Sequence, residues 1–258
     1  NHTLLNPAEQ QLCGPPPRNS GRAGVNQQRT ITNSLDGQMI EGEIIQIGER
    51  SGLEYRHPRP EWSQSLEDIE RSSFPTSDPE DLYDQTELEA LTNDFPQGGF
   101  VGFDQHLPVA MGLGIQVFFN LEEPEHTVHD MMPGNGDSGH RPEGDWYYGT
   151  SIAVRSEYRR RGIGAELYGL RKTVCQQLNL RGIVAGGVMP GYANHKNEMT
   201  ADEYIENVKK KVIYDPTLSF QQENGFELLQ ALPNYIANPE IDNYAALIIW
   251  RNQDYKEE

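Results

Sequence analysis

The segment from Ser151 to Ala165 has the residue types that bind anions at a strand-to-helix turn. Ser151-Ile-Ala-Val154 has the apolar pattern of a strand end, and Arg159-Arg-Arg-Gly-Ile-Gly164 follows it. At the first turn of a helix, backbone N–H groups point toward one spot and the helix dipole favours negative charge. Glycines in the turn let an anion approach without interference from a Cβ atom. The segment therefore predicts a binding site for a pyrophosphate group.

Basic charge is concentrated at the same place. Residues 155–172 contain six basic and two acidic side chains, a local charge of +4 in a chain with 21 basic and 39 acidic residues. The motif is neither a phosphate-binding loop with Lys and Ser/Thr after the glycines nor a dinucleotide fingerprint, which needs a third glycine and a later acidic residue. The structural alternative is a glycine-capped turn beside a solvated arginine face.

The overall composition excludes several classes of partner. The net charge of −18 repels nucleic acid and anionic membrane surfaces, so we expect neither as a partner. No apolar run approaches the roughly 20 residues that span a bilayer. Cys13 and Cys175 provide neither a disulfide framework nor a metal-ligand cluster, which predicts no metal site and a cytoplasmic location.

The remaining chain predicts one α/β domain over residues 41–254, preceded by a flexible N-terminal arm over residues 1–40. The arm is rich in Pro, Asn, Gln and Gly and has few apolar positions. Apolar periodicity in the domain predicts a mixed sheet flanked by helices. The predicted strands cover residues 44–47, 53–56, 99–103, 109–119, 146–154, 183–189, 226–232 and 245–250, and the predicted helices cover 62–73, 79–95, 166–178, 201–211 and 216–225, with a loop over 122–145.

Two motifs resemble the GCN5-related N-acetyltransferase (GNAT) superfamily. Its central motif, Arg/Gln-x-x-Gly-x-Gly/Ala behind an apolar-x-Val strand end, is matched by Arg159 to Gly164 behind Ile152-Ala-Val154. Its second motif, a short helix ending in Gly-Phe, is matched by residues 218–226. Residues 184–192, 214–221 and 232–235 further resemble a bacterial subgroup that occurs alone or fused to a carbon–nitrogen hydrolase.

The resemblance implies an α/β (α+β) fold with a mixed, mostly antiparallel central sheet, in which two parallel strands splay apart and helices flank the sheet. It also implies that acetyl-CoA, or another acyl-CoA, binds as co-substrate between the splayed strands, here 146–154 and 183–189. The strand backbone at Ile152, Ala153 and Val154 would pair with the pantetheine arm. The residues implied for the pyrophosphate are Arg159, Arg160, Arg161, Gly162, Ile163, Gly164 and Ala165.

The sequence departs from the superfamily where an acid and a base are often found. Gln221 stands four residues before the glycine of Gly-Phe, where many members have a tyrosine acid. Thr150 and Tyr148 stand on the central strand, where many members have Glu or His. The catalytic candidates are therefore Tyr214, Tyr192, Thr150 and His195, and further candidates in the preceding loop are His126, His129, Glu143 and Asp145. For all of them a solvated or structural role is the alternative, and residues 146–148 and Cys175 are predicted to be core.

Three functions fit these observations. The first is an N-acetyltransferase that acts on an amine of a small molecule or a protein; the acidic chain suits a cationic acceptor. The second is the decarboxylation or S-acyl transfer of the polyketide synthase loading domains that resemble this fold, for which Thr150 and His195 would be suited. The third is a non-catalytic acyl-CoA-binding module. The sequence leaves the oligomeric state open, with a homodimer as one option.

Overall fold

An eight-stranded mixed sheet organises the chain in the computed structural model, which describes residues 34–35, 38–39, 42–75, 77 and 79–257. The predicted arm lies outside the described residues, apart from the backbone of a small hairpin in which β1 (Ser34–Leu35) pairs antiparallel with β2 (Gln38–Met39). The strands of the sheet are β3 (Gln46–Ile47), β4 (Glu54–Arg56), β5 (Phe100–Asp104), β6 (Leu107–Val117), β7 (Trp146–Val154), β8 (Gly182–Val188), β9 (Glu227–Leu232) and β10 (Ala245–Arg251).

The spatial order of the strands is β3-β4-β5-β6-β7-β8-β10-β9. Every neighbouring pair in this sheet is antiparallel except β7 and β8, which run parallel. The predicted mixed, mostly antiparallel sheet with one parallel pair is thus confirmed.

Helices cover both faces of the sheet. Their bounds are α1 (Ser63–Ser73), α2 (Gln85–Asp94), α3 (Val128–Met131), α4 (Ile163–Gln177), α5 (Ala201–Lys209) and α6 (Leu218–Glu223). The first core, on the face of α1 and α2, contains Leu66 and Leu88. The second core, on the face of α4 to α6, contains Leu167, Tyr204 and the predicted core residue Cys175. No helix within the described ranges is long and apolar enough to cross a membrane.

Two predicted helix starts were wrong by three residues or more, and one predicted loop contains a helix. The predicted helix start at Pro79 is only a 3₁₀ turn, and α2 begins at Gln85, because the Asp84 side chain and Glu87 form a reciprocal capping box there. Helix α4 begins three residues earlier than predicted because Gly162, with φ of 85°, serves as its N-cap. The predicted loop over 122–145 contains the short helix α3, which has a capping box at Thr127.

Glu166, in the first turn of α4, attaches the β3–β4 turn to the start of that helix. Its carboxylate accepts hydrogen bonds from the amides of Arg50 (2.8 Å) and Ser51 (3.1 Å), from Ser51 Oγ (2.5 Å) and from the Tyr55 hydroxyl (2.7 Å). Burial opposes ionisation of Glu166, but these hydrogen bonds outweigh it and lower its pKa. The turn that carries Arg50 is therefore fixed beside the predicted anion site.

Glu166→Gln is expected to lower the free energy of unfolding by about 2 kcal/mol, because an amide accepts with only one of its two polar groups and carries no charge. Urea unfolding of the variant and the wild type measures the difference. Glu223→Gln, at an exposed position in α6, is the matched control and should leave stability unchanged. Equal stability of Glu166→Gln and the wild type would contradict the anchoring role.

Candidate functional site

A cleft opens where β7 and β8 separate. The two strands pair only at Tyr147 with Ile183 and at Tyr148 with Val184. Beyond these pairs β7 continues along β6 and β8 continues along β10. The facing edges of β7 and β8 then have no ladder partner among the described strands, so their backbone groups can pair with an extended ligand.

The predicted strand residues lie on this separated part of β7. Ile152 and Val154 are partly buried and pack against the core on the α4 side, whereas Ala153 is fully buried on the α1 side. The backbone at these positions fits a pantetheine arm, as the resemblance implies, while the Ala153 side chain belongs to the core.

The start of α4 lies at the mouth of the cleft and has the geometry of an anion site. Gly162 is the N-cap without a side-chain hydrogen bond, and Arg160 before it also has positive φ (63°). The first helical backbone bond runs from the Glu166 amide to Gly162 O (3.1 Å). The preceding amides, at Ile163, Gly164 and Ala165, belong to the first turn and have no intrahelical acceptor.

The three predicted arginines have different surroundings. Arg159 donates to Val154 O (3.2 Å) and to Ser73 O (2.7 Å), which attaches the end of β7 to the end of α1. Arg161 donates to Glu157 O (3.0 Å) and lies over the Tyr158 ring. Arg160 is exposed, without a side-chain partner in the part of the chain that the structure describes.

A fourth arginine, which the sequence analysis missed, joins this site. The aliphatic part of Arg50 lies against Gly162, so closely that a Cβ atom at position 162 would be 2.8 Å from Arg50 Cδ. Gly164, by contrast, faces the ring of Phe220. A Cβ atom at position 164 would be 3.0–3.2 Å from the ring carbons. Part of the space predicted for the anion at Gly164 is therefore filled by a side chain of α6.

A β-bulge shapes β7 at the point where the strands separate. Leu113 pairs with Ser151 and Gly114 pairs with Gly149, so Thr150 is left out of the ladder. Thr150 Oγ1 is buried and has no hydrogen-bond partner of regular geometry among the described residues, although the Tyr83 hydroxyl lies near it. The Thr150 backbone is thus outside the β6–β7 ladder, and its hydroxyl is buried beside Tyr83.

Two buried ionisable side chains hold this bulge from opposite faces. From α4, Arg171 donates to the carbonyl oxygens of Leu113 and Ser151 and forms no ion pair within the described ranges. From α1, Glu70 accepts a hydrogen bond from Ser151 Oγ (2.7 Å). Glu70 is 4% exposed, and burial raises its pKa from 4.5 to about 7.

A hydrogen-bonded chain of side chains begins beside the cleft. The hydroxyls of Tyr235 and Tyr148 are 2.8 Å apart, and His126 Nε2 is 2.7 Å from the Tyr148 hydroxyl. The Tyr235 ring lies against Gly186 on the separated part of β8. The sequence predicted His126 as a candidate and Tyr148 as core, but it indicated nothing catalytic at Tyr235.

The other predicted catalytic residues lie in separate places. Tyr214 is 70% exposed, and the Tyr192 hydroxyl donates to Met199 O (3.3 Å) while its ring packs on Tyr204. The His195 ring also packs on Tyr204, and no contact joins it to Thr150 in the part of the chain that the structure describes.

The candidates in the loop before β7 have partners of their own or lie exposed. His129 lies 3.3 Å from Asp81, Asp145 forms an ion pair with Arg181, and Glu143 is exposed. No cluster of metal-ligating side chains occurs within the described ranges.

Comparison with known families matches residues 63–196 to the model of the acetyltransferase (GNAT) family. The probable hydrolase YhcX of Bacillus subtilis (strain 168) is 35% identical over 189 residues, which are 73% of this chain and 36% of that protein. The chain therefore spans about a third of this relative's length. The uncharacterized N-acetyltransferase YkwB of the same organism is 27% identical over 75% of this chain and 86% of its own.

Two solved structures share the fold. The loading GNATL domain of CurA from Lyngbya majuscula is 21% identical, with a TM-score of 0.68 over 78% of this chain and 98% of that domain. The GphF GNAT-like decarboxylase in complex with isobutyryl-CoA is 17% identical, with a TM-score of 0.65 over 77% of this chain and 99% of its own.

Replacing Arg160 by Gly or Arg50 by Ala is expected to weaken CoA binding about tenfold, because each removes a cation beside the α4 N-terminus. Glycine at position 160 retains the positive φ without strain. Calorimetry at low salt measures the affinity, and Arg181→Ala, which removes a cation paired with Asp145, is the control. Unchanged affinity in both variants would exclude these cations from the site.

Glu70 makes the stability depend on pH in a defined direction. Because its pKa is raised in the folded state, the folded protein binds more protons than the unfolded chain between about pH 4.5 and 7. The contribution of Glu70 to stability is therefore greatest at the acidic end of this window and is lost as the pH rises to about 7.

Glu70→Gln is expected to remove this contribution, because glutamine is a neutral isostere of the protonated acid. The unfolding free energy of both proteins is measured at intervals from pH 4.5 to 8. The wild type should lose stability relative to the variant as the pH rises. Asp68→Asn, at an exposed position of the same helix, should give no such shift. A constant difference for Glu70→Gln would show that Glu70 ionises normally.

Proposed function

Because the chain belongs to the acetyltransferase (GNAT) family, we propose that it transfers an acetyl group from acetyl-CoA to an amine of a small molecule or a protein. The observation that carries the proposal is the separation of β7 and β8 next to the free first turn of α4. The cytoplasmic location predicted from the cysteine content is part of the same proposal.

The residues present fit an acyl-CoA. The free edge of β7 at Ile152 and Val154 can accept an extended pantetheine arm, and the first turn of α4 with Arg160 and Arg50 can accept the pyrophosphate. This arrangement would direct the thioester toward the bulge at Thr150. The Thr150 amide, outside the β6–β7 ladder, is then the donor for the oxyanion that forms when the amine attacks the thioester carbon.

A second candidate function rests on the Thr150 hydroxyl. This group is buried beside the cleft without a regular partner among the described residues, so it could donate to the enolate left when malonyl-CoA loses CO₂. Of the two structural neighbours named above, one is a loading domain and the other a decarboxylase. Against this function, His195, the second residue that the resemblance suggested, packs on Tyr204 instead.

Incubation with acetyl-CoA and with malonyl-CoA, each with and without a panel of amines, distinguishes the functions. Amine-dependent release of CoA from acetyl-CoA is the expected result. Release of CO₂ from malonyl-CoA would favour the second function, and Thr150→Val should then reduce it about 10²-fold. Tight binding of acetyl-CoA and malonyl-CoA without turnover would overturn the proposal in favour of a non-catalytic acyl-CoA-binding module.

Tyr214 and Tyr192 remain the predicted donors of the proton to the departing thiolate. The surroundings of Tyr192 favour a structural role, since its hydroxyl already donates to Met199 O. Tyr214 is exposed, and no hydrogen bond within the described residues occupies its hydroxyl. Between the two, the geometry favours Tyr214.

A further inference from the structure

We propose that Tyr235, Tyr148 and His126 form a directional proton relay that removes the proton from the acceptor amine. The proposal rests on the amine acyltransferase function above and assigns the base that the sequence lacks at its usual positions. Tyr235 is the catalytic residue that touches the acceptor, and Tyr148 and His126 act through it.

The hydrogen bonds of His126 fix the direction of the relay. His126 Nδ1 lies 2.6 Å from Pro124 O, and a carbonyl oxygen only accepts, so Nδ1 carries the proton. In the neutral ring Nε2 is then the acceptor, and the Tyr148 hydroxyl donates to it (2.7 Å). Because Tyr148 has a single hydroxyl proton, the Tyr235 hydroxyl must donate to Tyr148 (2.8 Å). Each hydroxyl proton thus points away from the cleft, toward His126.

The Tyr235 oxygen has two lone pairs; the Gly186 amide donates to one of them, and the proposed relay has the acceptor nitrogen at the other. The Tyr235 ring lies against Gly186, beyond the last pair of β7 with β8, and both tyrosine hydroxyls are near the Gly186 backbone. Backbone hydrogen bonds hold the residue in place, from the Tyr235 amide to Asn243 O (2.8 Å) and from the Val128 amide to Tyr235 O (3.0 Å). An acceptor nitrogen beside Gly186 would therefore meet a fixed acceptor.

The transfer balances without any further reactant. The N–H bond of the acceptor ammonium breaks and its proton goes to Tyr235 Oη, the Tyr235 proton goes to Tyr148 Oη, and the Tyr148 proton goes to His126 Nε2. The amine keeps the electron pair with which it attacks the thioester carbon. The imidazolium then loses one proton to solvent from a ring that is only partly buried. Exchange of the ring proton with solvent and rotation of the two hydroxyls restore the resting form, with the proton on Nδ1.

The groups around His126 suit a transient proton carrier. The titratable groups that face it are Tyr148, Tyr235 and, from α3, Asp130; Tyr83 faces Tyr148 from the other side. Burial lowers the pKa of His126, although Pro124 O and Asp130 act in the opposite direction. The lowered pKa favours the neutral ring at rest.

Steady-state kinetics of Tyr148→Phe, Tyr235→Phe and His126→Gln test the relay. Each should lower kcat/KM for the amine about 10²-fold at pH 7 with little change in the KM for acetyl-CoA. The loss should shrink as the pH approaches the pKa of the free amine, because a neutral amine needs no base. Tyr147→Phe is the matched control: Tyr147 is the buried neighbour on β7, donates to Gly98 O (2.6 Å) and should keep wild-type kinetics.

A structural role would give a different result. It predicts that the three variants have lower melting temperatures and lose the same fraction of kcat/KM at every pH. Either that outcome or full wild-type turnover in all three variants would overturn the relay.

A second measurement does not depend on turnover. ¹⁵N NMR of the His126 ring at pH 7 should show a neutral ring protonated at Nδ1, and the Nε2 shift should change in Tyr148→Phe but not in Tyr147→Phe. A ring protonated at Nε2 would reverse the chain and overturn the proposal. If the wild type shows this NMR signature but no amine-dependent CoA release, the proposed function fails, whereas the hydrogen-bonded chain stands.

Discussion

The separation of β7 from β8 is the constraint on which the rest of the site depends. Strands that pair at one end and diverge at the other leave backbone groups without ladder partners, and buried groups of that kind cost free energy unless other donors and acceptors meet them. At the β7 bulge, Arg171 meets the carbonyls of Leu113 and Ser151. Next to β8, Tyr235 brings a hydroxyl to Gly186. Fixed polar groups thus support β7 at its bulge with β6 and β8 at its separated edge.

Ser151 connects the two helical layers through the sheet at this point. Its hydroxyl donates to Glu70 of α1, and its carbonyl accepts from Arg171 of α4. Each of these ionisable groups is buried on its own face, so a shift of β7 would leave a desolvated polar group unpaired on both faces. Such a double attachment holds Thr150, the proposed oxyanion donor, in position, and catalytic groups must be held to within about 0.5 Å of their working geometry.

Sequence patterns predicted the elements of this fold better than they predicted the site. The apolar periodicity of α1 and the strand pattern of β7 were sufficient to predict these two elements, because each pattern follows from which side chains are buried. The start of α2 was missed because Pro79 resembles a helix start more strongly than the capping box at Asp84 does. The glycines before α4 predicted an anion site there, which stays a proposal, but they gave no indication of Arg50, because Glu166 brings it there from 116 residues away in the chain. Tyr235 was missed for the same reason, since only the strand order brings it to Tyr148.

Two adjacent glycines of β8, Gly186 and Gly187, are a sequence feature that could have indicated the contact with Tyr235. The Tyr235 ring packs on Gly186 at one face of the strand, and Gln221 packs on Gly187 at the other. A Cβ atom at position 187 would be only 2.5 Å from Gln221 Oε1. Consecutive glycines inside a strand indicate that other groups approach both faces closely. The relay and the Gln221 amide are thus on opposite faces of one strand. Because Gln221 lies on the other face of β8 from Tyr235, a glutamine at position 221 does not interfere with the proposed relay, and the proposed donor to the thiolate has to come from elsewhere, as Tyr214 does.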